Sequence, residues 1–402
     1  MRANRSIVRR GTALCRALFF LVLLMMASRV SGEDAGPGER TEWLWRLAHT
    51  GRDGSQSRVA RQTWQRLVES DAAALPEILA AMKDADPMGV NWLRTAYDAI
   101  LRRERAAATA IPWDQLVAVI VDPQYDARAR RLAWSTVDNH RPDDAQQLLT
   151  ALLDDPEFRL QAVQMLIEDA EAAVESGDLP FARQLYRRAF EASVDYDQIN
   201  RLSGRLASLD DPVELRTKLG VPERWQVLGP FPGYKMSGFQ RTYPPEERVD
   251  LDGTYSGSAG PIGWRSVAPG EDGQVDLNEV FGVSSDTVAY AYTELHAPQR
   301  MDAQLLAGAD DNLAVWFNGQ KVFAFPHYHQ HLRVDRFRIP VRLAEGKNTL
   351  LLKVCQSVTP PDYPRPNQWQ FIFRIVDPDG RPLPVDWTCP ESRLGFEGSG
   401  PE

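Results

Sequence analysis

The sequence lacks the motifs that would assign it to a catalytic class. It contains no Gly-x-Ser-x-Gly elbow, no His-Glu-x-x-His helix and no phosphate-binding glycine loop, so hydrolase and nucleotide chemistry have no starting residue. A pair of carboxylates for glycoside hydrolysis is compatible with so acidic a chain, but no pattern marks one. We therefore predict a protein without catalytic activity.

Basic residues are outnumbered by acidic ones. The 402 residues include 46 Lys and Arg against 55 Asp and Glu, a net charge of −9. Residues 1–32 contain six arginines and no acid, so the remainder, with 40 basic and 55 acidic residues, is still more acidic. A protein that follows a phosphate backbone needs a basic surface. We predict no nucleic-acid partner.

Long apolar runs are absent as well. The clearest run, residues 17–27, has about half of the ~20 residues that cross a bilayer as a helix, which argues against an N-terminal membrane anchor. Arginines precede it and Gly32 offers a cleavage position, as is typical of a secretory signal peptide. We predict a signal peptide over 1–32, a secreted or periplasmic location, and a mature chain without a membrane span.

Cysteine is limited to three positions. Cys15 would leave with the signal peptide, so the mature chain keeps Cys355 and Cys389, an even number in a compartment that permits disulfides. A bridge between them would close about 34 residues and stabilise the fold by roughly 2–4 kcal/mol. We predict this disulfide, and the alternative is two buried free thiols.

The composition changes near residue 220. Residues 33–220 contain 8 glycines and residues 221–402 contain 17, while alanine is concentrated in the first stretch. Glycine marks the turns that separate strands, whereas alanine favours helices. We predict a multidomain α-then-β fold, an α-helical repeat solenoid followed by an antiparallel β-sandwich (jelly roll). The predicted segments are a linker over 33–56, helical repeats over 57–220, the sandwich over 221–390 and a disordered tail over 391–402.

Three apolar stretches of helical spacing, residues 75–82, 116–121 and 148–153, each end in an Asp-Pro dipeptide and precede a second helical stretch. The prolines are 36 and 33 residues apart, which indicates an internal repeat of helix pairs. This part resembles HEAT-type helical repeats and, around residues 177–186, a tetratricopeptide helix pair. Such pairs stack and leave a groove that suits a protein partner, although a packed helical spacer is the alternative. The HEAT-type match rests on two sets of residues: Asp122, Pro123, Arg130 and Ala133, then Asp155, Pro156, Arg159 and Ala162.

Nine short strand patterns, separated by Gly, Pro, Asn and Asp, follow residue 221 and indicate a sandwich. Asn318-Gly319, between two apolar runs, predicts a two-residue hairpin, because a type I′ turn needs positive φ at both central positions. Gly346 and Asn348 mark a second tight turn before a leucine-rich strand.

These two motifs, within residues 310–322 and 343–354, are similar to galactose-binding-like jelly rolls, which include the sugar-binding domains of β-galactosidase-type glycoside hydrolases. The Asp-Asp opening at residues 310–311 is also similar to PA14-type modules. The resemblance covers about residues 285–376. It implies a jelly roll that either binds carbohydrate or serves a structural role, and fold alone does not decide between the two.

The histidine tract, residues 327–331, follows the predicted hairpin. Alternate residues of an extended segment share one face, so its three imidazoles could converge on a cation such as zinc. The alternatives are an exposed loop at the sandwich rim and contact with a polar ligand. Sugars stack on aromatic rings and meet a few polar groups. We therefore predict a ligand-binding rim made of Trp316, Asn318, His327, Tyr328, His329 and His331.

Asp310 and Asp311, with Asn312, could offer oxygen ligands to calcium, which galactose-binding-like modules often bind. A turn that opens into a strand also favours Asp and Asn, because their side chains bond the local backbone. We keep calcium at Asp310 and Asp311 as a prediction beside that structural alternative, and predict no other cofactor.

We expect an exported, non-catalytic protein that binds carbohydrate through its C-terminal sandwich, with the helical repeats as a spacer or partner-binding surface. One alternative is a protein-interaction scaffold in which the sandwich is purely structural. Another is an accessory part of a glycoside hydrolase system.

Overall fold

The computed structural model describes residues 37–51, 57–358 and 368–390. The chain divides into two compact units, Met1–Ala145 and Gln146–Glu402. The signal peptide predicted over 1–32 and the tail predicted over 391–402 lie outside the described residues. The order of secondary structure confirms the α-then-β fold class, since helices precede antiparallel sheets.

Helices fill the described chain up to residue 219. One of them, Pro37–Ala48, lies inside the segment predicted as a linker and buries Leu44, Leu47 and Ala48. Among the described residues, no helix has the length and apolar character needed to span a membrane. The helices are α1 (Pro37–Ala48), α2 (Ser57–Leu67), α3 (Ala74–Ala81), α4 (Pro87–Ala106), α5 (Trp113–Val121), α6 (Ala127–His140), α7 (Pro142–Ala151), α8 (Arg159–Glu175), α9 (Leu179–Ala192), α10 (Tyr196–Ala207) and α11 (Leu215–Leu219).

Two of the Asp-Pro turns have the same local structure. The carboxylates of Asp122 and Asp155 each accept a hydrogen bond from the backbone N–H two residues on, at 2.8 and 2.9 Å. In each case a buried arginine of the following helix donates to carbonyls in the last turn of the preceding helix or just after it: Arg130 to Ile120, and Arg159 to Leu153 and Asp154. These carbonyls lie where a helix end leaves acceptors unpaired. The same hydrogen bonds therefore recur at two helix ends, and the region is repeat-like as predicted.

The second unit also contains a two-layer β-structure in which every strand pair is antiparallel. The strands are β1 (Trp225–Pro232), β2 (Tyr255–Ser256), β3 (Pro261–Ile262), β4 (Arg265–Val267), β5 (Gln274–Asp276), β6 (Thr287–Ala297), β7 (Met301–Ala309), β8 (Leu313–Phe317), β9 (Gln320–Phe325), β10 (Phe337–Leu343), β11 (Gly346–Gln356), β12 (Gln370–Val376) and β13 (Asp386–Thr388). The larger sheet has the order β4-β1-β6-β11-β8-β9, with β13 also paired to β6, and the smaller sheet has the order β10-β7-β12-β5. Two short helices, α12 (Pro244–Glu247) and α13 (Leu277–Phe281), lie between strands.

The main core lies between the two sheets, where alternate residues of each strand point inward. In β8 these are Leu313, Val315 and Phe317. Trp225 packs edge-on against Phe371 of the opposite sheet, with ring centroids 5.3 Å apart. Burial of such aromatic side chains dominates the stability of a core.

The outer face of the larger sheet is covered too. Ala314 and Trp316 of β8 belong to a second buried cluster, which the segment from Phe239 to Trp264 closes from outside. Lys353 of β11 is buried here, with its Nζ 2.7 Å from the carboxylate of Glu246. Both faces of this sheet are therefore interior.

Helices cover the outer face of the smaller sheet. Tyr196, Ile199 and Leu219 pack with Ile372 of β12 in a third buried cluster. The buried Arg374 pairs with Asp335 and donates to the Val194 carbonyl at 3.1 Å. Helices α10 and α11 and the sandwich thus share one core.

The structure does not support the predicted disulfide, because Cys355 and Cys389 are not bonded to each other. Cys355 lies opposite Val288 on β6, whereas Thr388 lies opposite Glu294, six residues further along the same strand. At about 3.3 Å per residue this places the cysteines roughly 20 Å apart, well beyond the ~7 Å limit between bridged Cα atoms. Strand pairing of β13, and not a bridge, fixes the C-terminal segment.

Candidate ligand-binding site

The residues predicted to form one rim lie in different places. Asn318 is at the tip of the β8–β9 hairpin, whereas the histidine tract follows the far end of β9, where Phe325 pairs with Leu313. The hairpin turn is of the predicted kind, with φ of 50° at Asn318 and 76° at Gly319. The length of the hairpin thus separates Asn318 from the histidines.

The Asn318 side chain is engaged within the fold. It donates to Asn348 Oδ1 at 2.9 Å and accepts from the Thr349 N–H at 2.8 Å. Asn348 is fully buried and also bonds Ala344 and Gly346. The hairpin turn at Asn318 and the turn at Asn348, which carry the resemblance to galactose-binding-like domains, are therefore hydrogen-bonded to each other.

Trp316 is also unsuited to a ligand platform. It is 6% exposed within the cluster on the outer sheet face. The Lys321 ammonium lies 4.5 Å from its ring centroid, a cation–π contact. A sugar cannot stack on this ring in the observed arrangement.

The histidine tract forms a loop, in which His327, His329 and His331 are exposed and Tyr328 is half-buried. His327 packs on Phe325 with ring centroids 4.5 Å apart. Among the described residues, no group of three or more His, Cys, Asp or Glu side chains is arranged to hold a metal ion. The loop thus offers exposed polar groups without a metal-ligand set.

Asp310 and Asp311 hold this loop in place. Asp311 accepts from the backbone N–H groups of Gln330 at 3.1 Å and Ser357 at 2.6 Å, and Asp310 accepts from that of Leu332 at 2.9 Å. Burial raises the pKa of Asp310 to about 6. Both carboxylates thus bond the backbone of segments distant in the chain, and not only that of their own turn.

A pocket of about 500 Å³ lies elsewhere in the second unit, beside β13. Its aromatic side chain is Trp387, so we call it the Trp387 pocket. Trp387 is half-buried, lines the pocket, and also packs against the main core. The pocket is lined by Glu214, Arg216, Thr217, Gly220, Val221, Glu223, Arg224, Ala268, Leu383, Val385, Asp386 and Trp387.

Backbone constraints position both walls of the pocket. On one side α11 ends at Gly220, whose φ of 72° is in the left-handed region that favours glycine. A Cβ there would lie 2.4 Å from the Ile375 carbonyl oxygen, and the Gly220 carbonyl accepts from the Ile375 N–H at 2.9 Å. On the other side, pairing of Trp387 with Leu295 fixes β13 against β6. The pocket is thus held by the sandwich on both sides.

The pocket combines an aromatic ring with charged groups of both signs. Its arginines are Arg216, which donates to the Pro269 carbonyl at 2.9 Å, and Arg224, which is exposed. Glu214, Glu223 and Asp386 are exposed. Such groups can donate to and accept from a polar ligand.

Sequence reasoning missed this pocket. Its walls, residues 214–224 and 383–387, are far apart in the chain, and β13 has only three residues. Trp387 is the one signal that could have identified it, because a tryptophan near the end of a sandwich is a candidate platform for a sugar.

Comparison with known proteins adds little. No family model matches the sequence, and no curated protein does. Among solved structures, the chain is similar to an FMN-binding β-glucuronidase from Facaelibacterium prausnitzii L2-6, with 14% identity and a TM-score of 0.21. The match covers 39% of this chain and 23% of that enzyme, so this chain corresponds to less than a quarter of its length. A similarity this low carries no argument about fold or function.

Proposed function

We propose that this protein is exported and binds carbohydrate at the Trp387 pocket of its C-terminal sandwich. The observation that carries the proposal is a half-buried tryptophan in a pocket of about 500 Å³ whose other side chains include two arginines and three carboxylates. The location rests on the N-terminal signal-peptide pattern.

The chemistry of the pocket suits a sugar. Ligand sites occupy about 300–1,000 Å³ and combine apolar or aromatic walls with a few polar groups that fix orientation. An aromatic ring offers its face to the C–H bonds of a pyranose. Glu223 and Arg224 supply an acceptor and a donor at the same wall.

The resemblance of the sandwich to galactose-binding-like domains agrees with this proposal. The HEAT-like interpretation of the helices gives them the role of a spacer or of a surface for a partner. No catalytic step is part of the proposal.

The test is a glycan array probed with residues 33–402, followed by calorimetry on any glycan that binds. Trp387→Ala should abolish binding, whereas Trp45→Ala, at a tryptophan that is 62% exposed in α1, should leave it unchanged. Because Trp387 also contacts the core, Arg224→Gln serves as a milder variant that should weaken binding without lowering the melting temperature. Equal binding by all variants would place the site elsewhere, and triple substitution of His327, His329 and His331 by Ala would then test the predicted rim.

A protein-interaction scaffold is the second candidate. Val174, Leu179 and Phe181 are 39–49% exposed around the turn between α8 and α9, and exposed apolar groups of this kind are common where proteins meet. If this function is the relevant one, residues 33–402 should co-purify with a stoichiometric protein partner and bind no glycan. The Phe181→Ser variant should then lose that partner.

A further inference from the structure

We infer that the ligand of the Trp387 pocket is a neutral sugar with free hydroxyl groups, and that the pocket rejects uronates and sulfated glycans. This inference rests on the proposed function and specifies its ligand class. The feature that carries it is the excess of carboxylates over guanidinium groups around one aromatic ring.

The pocket has more carboxylate groups than guanidinium groups. Glu214, Glu223 and Asp386 supply three carboxylates, against the guanidinium groups of Arg216 and Arg224. An ionised carboxylate only accepts hydrogen bonds, so it needs a ligand with donors. Sugar hydroxyl groups are donors without charge, and hydrogen bonds from them to an ionised group are stronger than neutral ones.

The two arginines do not create an anion site. One guanidinium nitrogen of Arg216 is already committed to the Pro269 carbonyl. Arg224 lies next to Glu223 in the chain, on the same wall of the pocket. A bound uronate would therefore meet a net negative surface, and like charges brought together in a partly enclosed site repel more strongly than in water.

The net negative charge of the surrounding domain also disfavours acidic glycans. Residues 221–402 contain 17 basic and 23 acidic residues. An acidic polysaccharide would approach against this field, and such long-range repulsion weakens as salt is added. A neutral glycan is repelled neither by the carboxylates of the pocket nor by the net charge of the domain.

The experiment compares matched ligands. Residues 33–402 are titrated with gluco-, galacto- and manno-configured oligosaccharides, each beside the uronate that differs only by oxidation at C6. We expect binding to at least one neutral series and binding to its uronate weaker by at least about tenfold at low salt. Higher salt should narrow this difference.

A charge-reversal variant makes the test specific to the pocket. Glu223→Lys should improve uronate binding by about tenfold, whereas Glu247→Lys, at an exposed acid of α12 away from the pocket lining, should not. Uronates bound as tightly as the neutral sugars would overturn this inference and leave carbohydrate binding standing. Failure of both series to bind would overturn the proposed function itself.

Discussion

Replacement of Lys353 by Met should strongly destabilise the second unit. The Lys353 side chain is 1% exposed, and its Nζ donates to Glu246 Oε1 at 2.7 Å and to the carbonyls of Arg241 at 2.6 Å and Phe239 at 3.1 Å. Burial lowers the pKa of this amine, and Glu246 opposes the shift. Methionine fills a similar volume but supplies no donor, so the change isolates the charge and its hydrogen bonds.

The expected cost follows from what the variant leaves behind. Removal of one partner from a buried ion pair costs about 3–5 kcal/mol, because an uncompensated charge remains. Glu246 keeps the Tyr290 hydroxyl at 2.5 Å and the Lys321 ammonium at 3.7 Å. These contacts place the loss near the lower limit, at about 3 kcal/mol in the free energy of unfolding.

Urea unfolding of residues 33–402, followed by tryptophan fluorescence, measures this loss. Lys321→Met is the matched control, since Lys321 approaches the same carboxylate but its side chain is 51% exposed, and it should cost less than about 1 kcal/mol. The double variant Lys353→Met with Glu246→Gln should recover part of the stability. Equal effects of the two lysine variants would refute the reasoning.

Three further predictions concern positions away from this pair. Asn348→Ala removes four hydrogen bonds of a buried side chain and should lower stability by about 2–4 kcal/mol in urea unfolding; a loss below 1 kcal/mol would contradict it. Because burial raises the pKa of Asp310 to about 6, the native state holds that proton more tightly than the unfolded chain, and ionisation costs stability. Asp310→Asn should thus gain in melting temperature over the parent as pH rises from 4 to 6, and a constant difference would argue against it. Finally, thiol titration of denatured, unreduced residues 33–402 should give two thiols, because Cys355 and Cys389 are not bridged to each other, and a value of zero would restore the disulfide.

The hairpin was predictable because its determinants are local. A type I′ turn requires positive φ at both central positions, which Asn and Gly tolerate best, and the structure has it at Asn318 and Gly319. The two apolar runs on each side of it form the paired strands β8 and β9. The repeated Asp-Pro turns are local in the same sense, since Asp122 and Asp155 bond their own backbone.

The candidate site was not predictable because its determinants are distant in the chain. Alternation along a strand puts Trp316 on the face opposite Leu313, but it does not say which face is core. Both faces are buried, because residues 239–264 cover the outer one. The Trp387 pocket is formed by two segments that are more than 150 residues apart in the chain. Local sequence periodicity does not predict contacts of this kind.

The shared core of helices and sandwich sets the smallest fragment suitable for experiments. A fragment that begins at residue 221 would expose Ile372 to water, remove the Val194 carbonyl from Arg374 and delete Glu214 and Arg216 from the pocket. Its failure to bind a glycan would report damage and not specificity. A fragment meant to test the proposed binding must therefore include Val194, Glu214 and Arg216, and a truncation at the change in composition would remove all three.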